Sequence, residues 1–131
     1  MLQARPDKYL ETAVQTATPS KLLIMLYDGA IRFCRQGIKC LEDKDYSGAS
    51  RSLFKAQSII NEFRGSLDSQ YEISQELHRI YEYFNYRLIQ GNIKRDAIQV
   101  EEVLNHLIQL KEVWIEAAKS PAKETVSGTH G

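Results

Sequence analysis

Over residues 46–67 the apolar side chains Tyr46, Ala49, Leu53, Ala56, Ile60, Phe63 and Leu67 follow one another in alternating steps of three and four. That spacing returns a side chain to one face of an α-helix at every turn, and it is the seam by which near-parallel helices pack. A strand needs alternation with a period of two, and no stretch of the chain shows it. A helix with such a stripe is marginal alone in water and calls for other helices with stripes of their own.

Three more stripes are present. Leu23, Leu26, Tyr27, Ala30, Cys34, Ile38 and Leu41 follow Thr18-Pro19, a threonine able to cap and a proline pre-set for the first helical position. Glu42-Asp43-Lys44 breaks the pattern, and Asp45 stands where it can cap the next helix. After the loop at 65–70, Leu77, Ile80, Tyr81, Phe84 and Leu88 predict a third helix over about 74–90, with Gly91-Asn92-Ile93 as a left-handed stop. Asp96 and Gln99 resemble a capping box ahead of Val100, Val103, Leu104, Leu107, Leu110, Trp114 and Ala118. Helices of ~18–23 residues are ~27–35 Å long, and short loops make neighbours antiparallel. The expected fold is all-α: an antiparallel up-down bundle of four long helices plus a short N-terminal helix through Tyr9, Leu10, Ala13, Val14 and Ala17. Residues 1–8 read as a flexible N-terminal arm and 9–118 as the bundle domain. Residues 119–131, without period and with almost nothing to bury, read as a disordered tail.

Composition excludes several function classes. Seventeen basic residues balance seventeen acidic ones, which argues against a nucleic-acid partner. No run of ~18 apolar residues exists to insert in a membrane, and the first eight residues lack the apolar core of a secretory signal. Cys34 and Cys40 would lie ~9 Å apart along one helix, beyond disulfide reach and without zinc spacing, which suits reduced thiols in the cytoplasm. His78 and His106 stand alone, Glu101-Glu102 and Asp43/Asp45 read as a solvated face and a helix start, and no glycine-rich phosphate loop follows a strand. Neither an enzyme nor a cofactor is indicated.

What the chain has in excess is apolar surface. Leu22-Leu23-Ile24-Met25-Leu26-Tyr27 is an unbroken run, and at ~100° per residue it covers every side of its helix. Ile24 and Ile31 share one flank off the core stripe, and Leu22 and Met25 share another. Tyr83 lies ~100° from the core direction of the third helix and Tyr86 nearly opposite it. Ile98, Ile108 and Val113 miss the stripe of the fourth. Flanks of this kind line grooves that receive another helix-forming segment. Tyr9, Leu10 and Val14 are then expected as a displaceable N-terminal cover, since a weakly anchored two-turn segment costs little to release.

These residues resemble a known family. Tyr9, Thr16-Ala17-Thr18-Pro19 and the run from Leu22 to Tyr27 continued by Asp28-Gly29-Ala30-Ile31 are similar to the N-terminal signature of the FliS family, the flagellar export chaperones for flagellin. Ile80-Tyr81-Glu82-Tyr83, Arg87-Leu88, Gly91-Asn92, Asp96, Glu102-Val103, Leu107, Leu110 and Trp114 follow in the family's order over about 9–117. Gly91 departs from a frequent alanine and Lys111 from a common arginine. The resemblance implies an antiparallel bundle that binds the disordered C-terminal segment of flagellin in the cytoplasm, prevents premature polymerisation and assists delivery to the flagellar type III export gate. Leu22, Ile24, Met25 and Ile31 are the expected groove residues, with Tyr83 and Tyr86 on a second contact surface, while Leu23, Leu26, Ala30, Phe84, Leu107 and Trp114 belong to the core. Weak homodimerisation is compatible with this reading. The alternative is a helical adaptor of another kind. Asp45-Tyr46-x-x-Ala49 resembles the opening of a tetratricopeptide repeat, though no 34-residue self-similarity supports it. The seam at 46–67 would also suit a coiled-coil oligomer.

Overall fold

A computed structural model describes residues 18–119. They form four helices: α1 (Pro19–Glu42), α2 (Tyr46–Gly65), α3 (Glu72–Lys94) and α4 (Ala97–Ala118), with no strand among the described residues. The expected short N-terminal helix lies outside the described residues, and so does the tail after Lys119.

Local chemistry sets the ends. Thr18 Oγ1 accepts from the Lys21 N–H at 3.2 Å, with Pro19 behind it as the first helical residue. Asp45 Oδ1 accepts from Gly48 N–H at 3.0 Å and starts α2. The α1–α2 and α3–α4 connections repeat one design. In each, a basic residue takes left-handed backbone, Lys44 at φ 60° and Arg95 at φ 55°. In each, the following aspartate donates its N–H back five residues, Asp45 to Cys40 O and Asp96 to Gly91 O, both at 2.8 Å. That is the closing bond of a Schellman turn, and the aspartate side chain then caps the next helix. The molecule is therefore two αα-hairpins joined by the loop at 66–71, with both tight corners at the same end. Arg95 ties them together by lying 3.8 Å over the Tyr46 ring.

Two sequence expectations need correction here. The helix does not stop at Gly91; α3 runs on to Lys94, and the left-handed residue is Arg95. Gly91 is buried because α4 passes close by: a Cβ there would meet Val100 Cγ2 at 2.9 Å and Asp96 O at 3.1 Å. The capping box is also altered. Gln99 Nε2 donates to the Asp96 carboxylate at 3.2 Å, since the Asp96 N–H is already committed to Gly91.

Helices adjacent in sequence pack together, and α1 also packs on α4, closing a ring in the order α1–α2–α3–α4. The approach of α1 to α2 is close at Gly37, where a Cβ would lie 2.6 Å from Leu53 Cδ2. The core contains a chain of aromatics. Tyr27 stacks on Phe63 with ring centres 4.5 Å apart, Phe63 meets Tyr81 at 5.3 Å, and Tyr81 meets Phe84 edge-on at 6.2 Å. The Tyr27 and Tyr81 hydroxyls share a buried hydrogen bond of 2.6 Å. Burial pushes both phenols above their ordinary pKa, so each stays a neutral donor and acceptor and the pair satisfies itself.

Candidate binding grooves

Of the six residues Leu22 to Tyr27, only Tyr27 is fully withdrawn from solvent; the other five are half-buried. Six neighbouring large side chains spread over every azimuth, and among the described residues the ring of four helices packs α1 mainly on two neighbours, α2 and α4. The remainder lines a trough. Leu22, Met25, Leu26, Gly29 and Phe33 on α1 face Ile59 on α2 around a volume of about 210 Å³. Gly29 leaves room for the Ile59 side chain, which would stand 3.1 Å from an added Cβ.

A second apolar groove lies between α3 and α4. Ile80, Tyr83 and Phe84 face His106, Leu110 and Val113 around about 510 Å³, with Glu76 and Arg79 at the rim. His106 stacks on Phe84 with ring centres 5.9 Å apart. One wall is fixed by a polar clamp: the Tyr83 hydroxyl donates to the Glu102 carboxylate at 2.9 Å, and Arg87 pairs with the same carboxylate. Burial alone would raise the Glu102 pKa, but the Tyr83 hydrogen bond and Arg87 outweigh it and hold the carboxyl below its usual range. The same bond pushes the Tyr83 phenol up. Because the ring runs α1–α2–α3–α4, the two grooves open on opposite sides of the bundle.

The structure divides the expected contact residues. Leu22 and Met25 are together in the α1–α2 trough, and Tyr83 is in the α3–α4 groove. Ile24 is half-buried and sits two turns before Ile31, on the flank of α1 that turns toward α4. Ile31 is 6% exposed and packs with the core cluster, so it offers less surface than its off-stripe position predicts. It forms the floor of a groove of about 490 Å³ between α1 and α4, along which Lys111 of α4 pairs with Asp28 one turn from Ile31. Tyr86 is 56% exposed, but it faces outward with Ile89 and Ile93 and does not line the groove that holds Tyr83. Tyr9, Leu10 and Val14 lie outside the described residues. Among the expected core residues, Ala30, Phe84 and Leu107 are buried, and Leu23, Leu26 and Trp114 pack against the core half-covered.

Phe33, Ile59, Ile80 and Leu110 were not identified as groove residues from sequence. Phe33 carries a readable signal, a large aromatic off its own helix's core stripe. Ile80 and Leu110 sit at stripe positions, and only the distance between α3 and α4 reveals that they are walls. Among the described residues no three His, Cys, Asp or Glu side chains converge to hold a metal, and no helix is long and apolar enough to cross a membrane. Both cysteines are free thiols, and burial pushes Cys34 up to about 12.

Four antiparallel helices closed on an aromatic core, with an apolar groove outside each hairpin, define a small helical bundle whose accessible features are contact surfaces. Residues 1–121 match the family model described as flagellar protein FliS. The chain is 34% identical over 116 residues to the flagellar secretion chaperone FliS of Bacillus subtilis (strain 168), a match covering 88% of this chain and 87% of that one. It is 35% identical over 123 residues to the protein of the same name from Escherichia coli (strain K12), covering 92% and 90%. With that of Salmonella typhimurium it shares 36% over 116 residues, or 86% of each chain. The chain belongs to the FliS family, a family of flagellar secretion chaperones rather than of enzymes.

Proposed function

We propose that this chain is a cytoplasmic export chaperone that binds the disordered C-terminal segment of flagellin, keeps it from polymerising early and assists its delivery to the flagellar type III export apparatus. The observation that carries this reading is the pair of apolar grooves on opposite sides of one small bundle. A rigid globular partner reaches one side of a bundle. A segment that is partly extended and partly helical can lie in both.

The mechanism is folding upon binding. The guest loses conformational freedom and offsets that cost by burying ~1,000–3,000 Å² of surface in such systems. Where it is helical, residues at i, i+3, i+4 and i+7 seat in the trough around Leu22 and Met25. A terminus held here is unavailable to a filament, so sequestration needs mass action and no nucleotide. Before the guest arrives, the segment bearing Tyr9, Leu10 and Val14 covers the α1–α2 trough and is displaced on binding. Amide exchange over residues 9–17 should then accelerate when flagellin is added; added protection there would contradict the cover.

Met25 provides the direct test. Met25→Asp sets a carboxylate in the trough and is expected to abolish flagellin binding in a titration, with the helical circular dichroism of the bundle intact. A melted bundle would show that Met25 supports the core, and undiminished binding would show that the trough receives no guest.

A further inference from the structure

The α1–α2 face has two halves of different chemistry. Near the start of α1 it is the apolar trough. Toward the Lys44 corner it becomes a groove of about 520 Å³ lined by Arg35, Lys39, Arg51 and Lys55, with Asp45 as the one carboxylate among its lining residues. The whole chain carries equal numbers of basic and acidic residues, so this is a local excess.

The excess is not neutralised within the described residues. Lys39 pairs with Asp43 at 3.3 Å. Arg35, Arg51 and Lys55 have no carboxylate within the 4.0 Å of an ion pair. Arg51 donates to Ser47 Oγ at 2.8 Å, and Asp45 is already engaged in capping α2. Clefts lined by one sign of charge concentrate the field and draw in counter-charge. The halves meet at Phe33, whose ring is approached by Arg32 at 5.0 Å and by Lys55 at 5.4 Å. Phe33 itself lines the apolar trough, so the two halves are continuous.

We infer that the α1–α2 face receives a guest segment of two-part chemistry: apolar residues against Leu22, Met25 and Phe33, continued by carboxylates against Arg35, Arg51 and Lys55. From Leu22 to Lys39, α1 rises ~26 Å, the length of ~17 helical residues or ~8 extended ones. The acidic partner is a protein segment and not a nucleic acid. A phosphate backbone has no use for the apolar trough that continues the basic groove. The inference rests on the reading that a guest occupies that trough, and it adds the composition of the guest's continuation.

The test uses full-length flagellin as probe against the native protein, Arg35→Glu/Arg51→Glu, the milder Arg35→Gln/Arg51→Gln, and Lys119→Glu as a control after the end of α4, at the end of the bundle away from the Lys44 corner. All altered side chains are exposed, so helical circular dichroism should be unchanged. Affinity should fall about tenfold or more in the double reversal at 50 mM salt, less in the neutral pair, and under twofold in the control, with a flatter salt dependence in both arginine variants. Native affinity and salt slope in both arginine variants, with Met25→Asp still abolishing binding, would overturn the inference and leave the trough reading standing. Full binding by Met25→Asp would overturn the trough reading itself. A single-stranded oligonucleotide that binds the native protein and not the double reversal, while flagellin binding is unaltered, would assign the groove to phosphate and also overturn the inference.

Discussion

Tyr27 and Tyr81 each bring a hydroxyl into the centre of the bundle, and each is tolerated there because of the other. Removing one hydroxyl strands its partner, which costs about 1–3 kcal/mol, whereas removing both strands neither. Urea unfolding of Tyr27→Phe, Tyr81→Phe and the double variant is expected to show the double losing clearly less than the two singles together. The singles should also differ. Trp114 Nε1 is buried and makes no hydrogen bond among the described residues, yet it lies near enough to the Tyr27 hydroxyl to favour that phenol's ionisation. Tyr27 therefore keeps a neighbour when Tyr81 is changed, and Tyr27→Phe should be the costlier substitution. Additive losses would show that the two hydroxyls act separately. At this scale sequence reading reached far for the core and less far for the surface. Ala30, Phe84 and Leu107 are where the helical stripes put them. Ile31 is not, because helical angle says which way a side chain leaves its own helix and not how near the next one stands.

The elements were the most legible level. Thr18, Asp45 and Asp96 cap the helices that follow them, and the alternation of three and four in α2 is its buried face. The end of α3 departs from its sequence pattern for a definite reason. Glycine serves both as a left-handed stop and as a place where two helices touch, and at Gly91 the second use holds while Arg95 takes the left-handed turn. These corners and contacts lead to opposite predictions for two small substitutions. Gly37→Ala gains up to ~1 kcal/mol of helix propensity. It also drives a methyl into Leu53, whose side chain is fully buried, and such overpacking costs about 1–3 kcal/mol. A net loss of thermal stability is expected. Lys44→Gly relieves a left-handed conformation that costs an L-residue roughly 1–2 kcal/mol, at an exposed position, so the melting temperature should rise. A stabilised Gly37→Ala would mean that the hairpin is looser than its geometry shows.

For the whole molecule, the bundle follows from four stripes and short connections, and the four-helix ring agrees with it. The grooves follow from something sequence does not carry, the register between helices. Leu22 and Met25 were readable because six apolar neighbours cannot all face one way. The α3–α4 groove joins Tyr83 to Leu110 and Val113 across a gap that no spacing along either helix specifies. A guest in one groove could be any amphipathic helix; two grooves on opposite sides favour a long flexible chain that passes round the bundle. The decisive measurement is sedimentation of this protein with flagellin, full-length and lacking its C-terminal segment. A one-to-one complex with the full-length chain and none with the truncated chain is the predicted result. Equal binding of both, or of neither, would contradict the claim that these surfaces are kept for that segment.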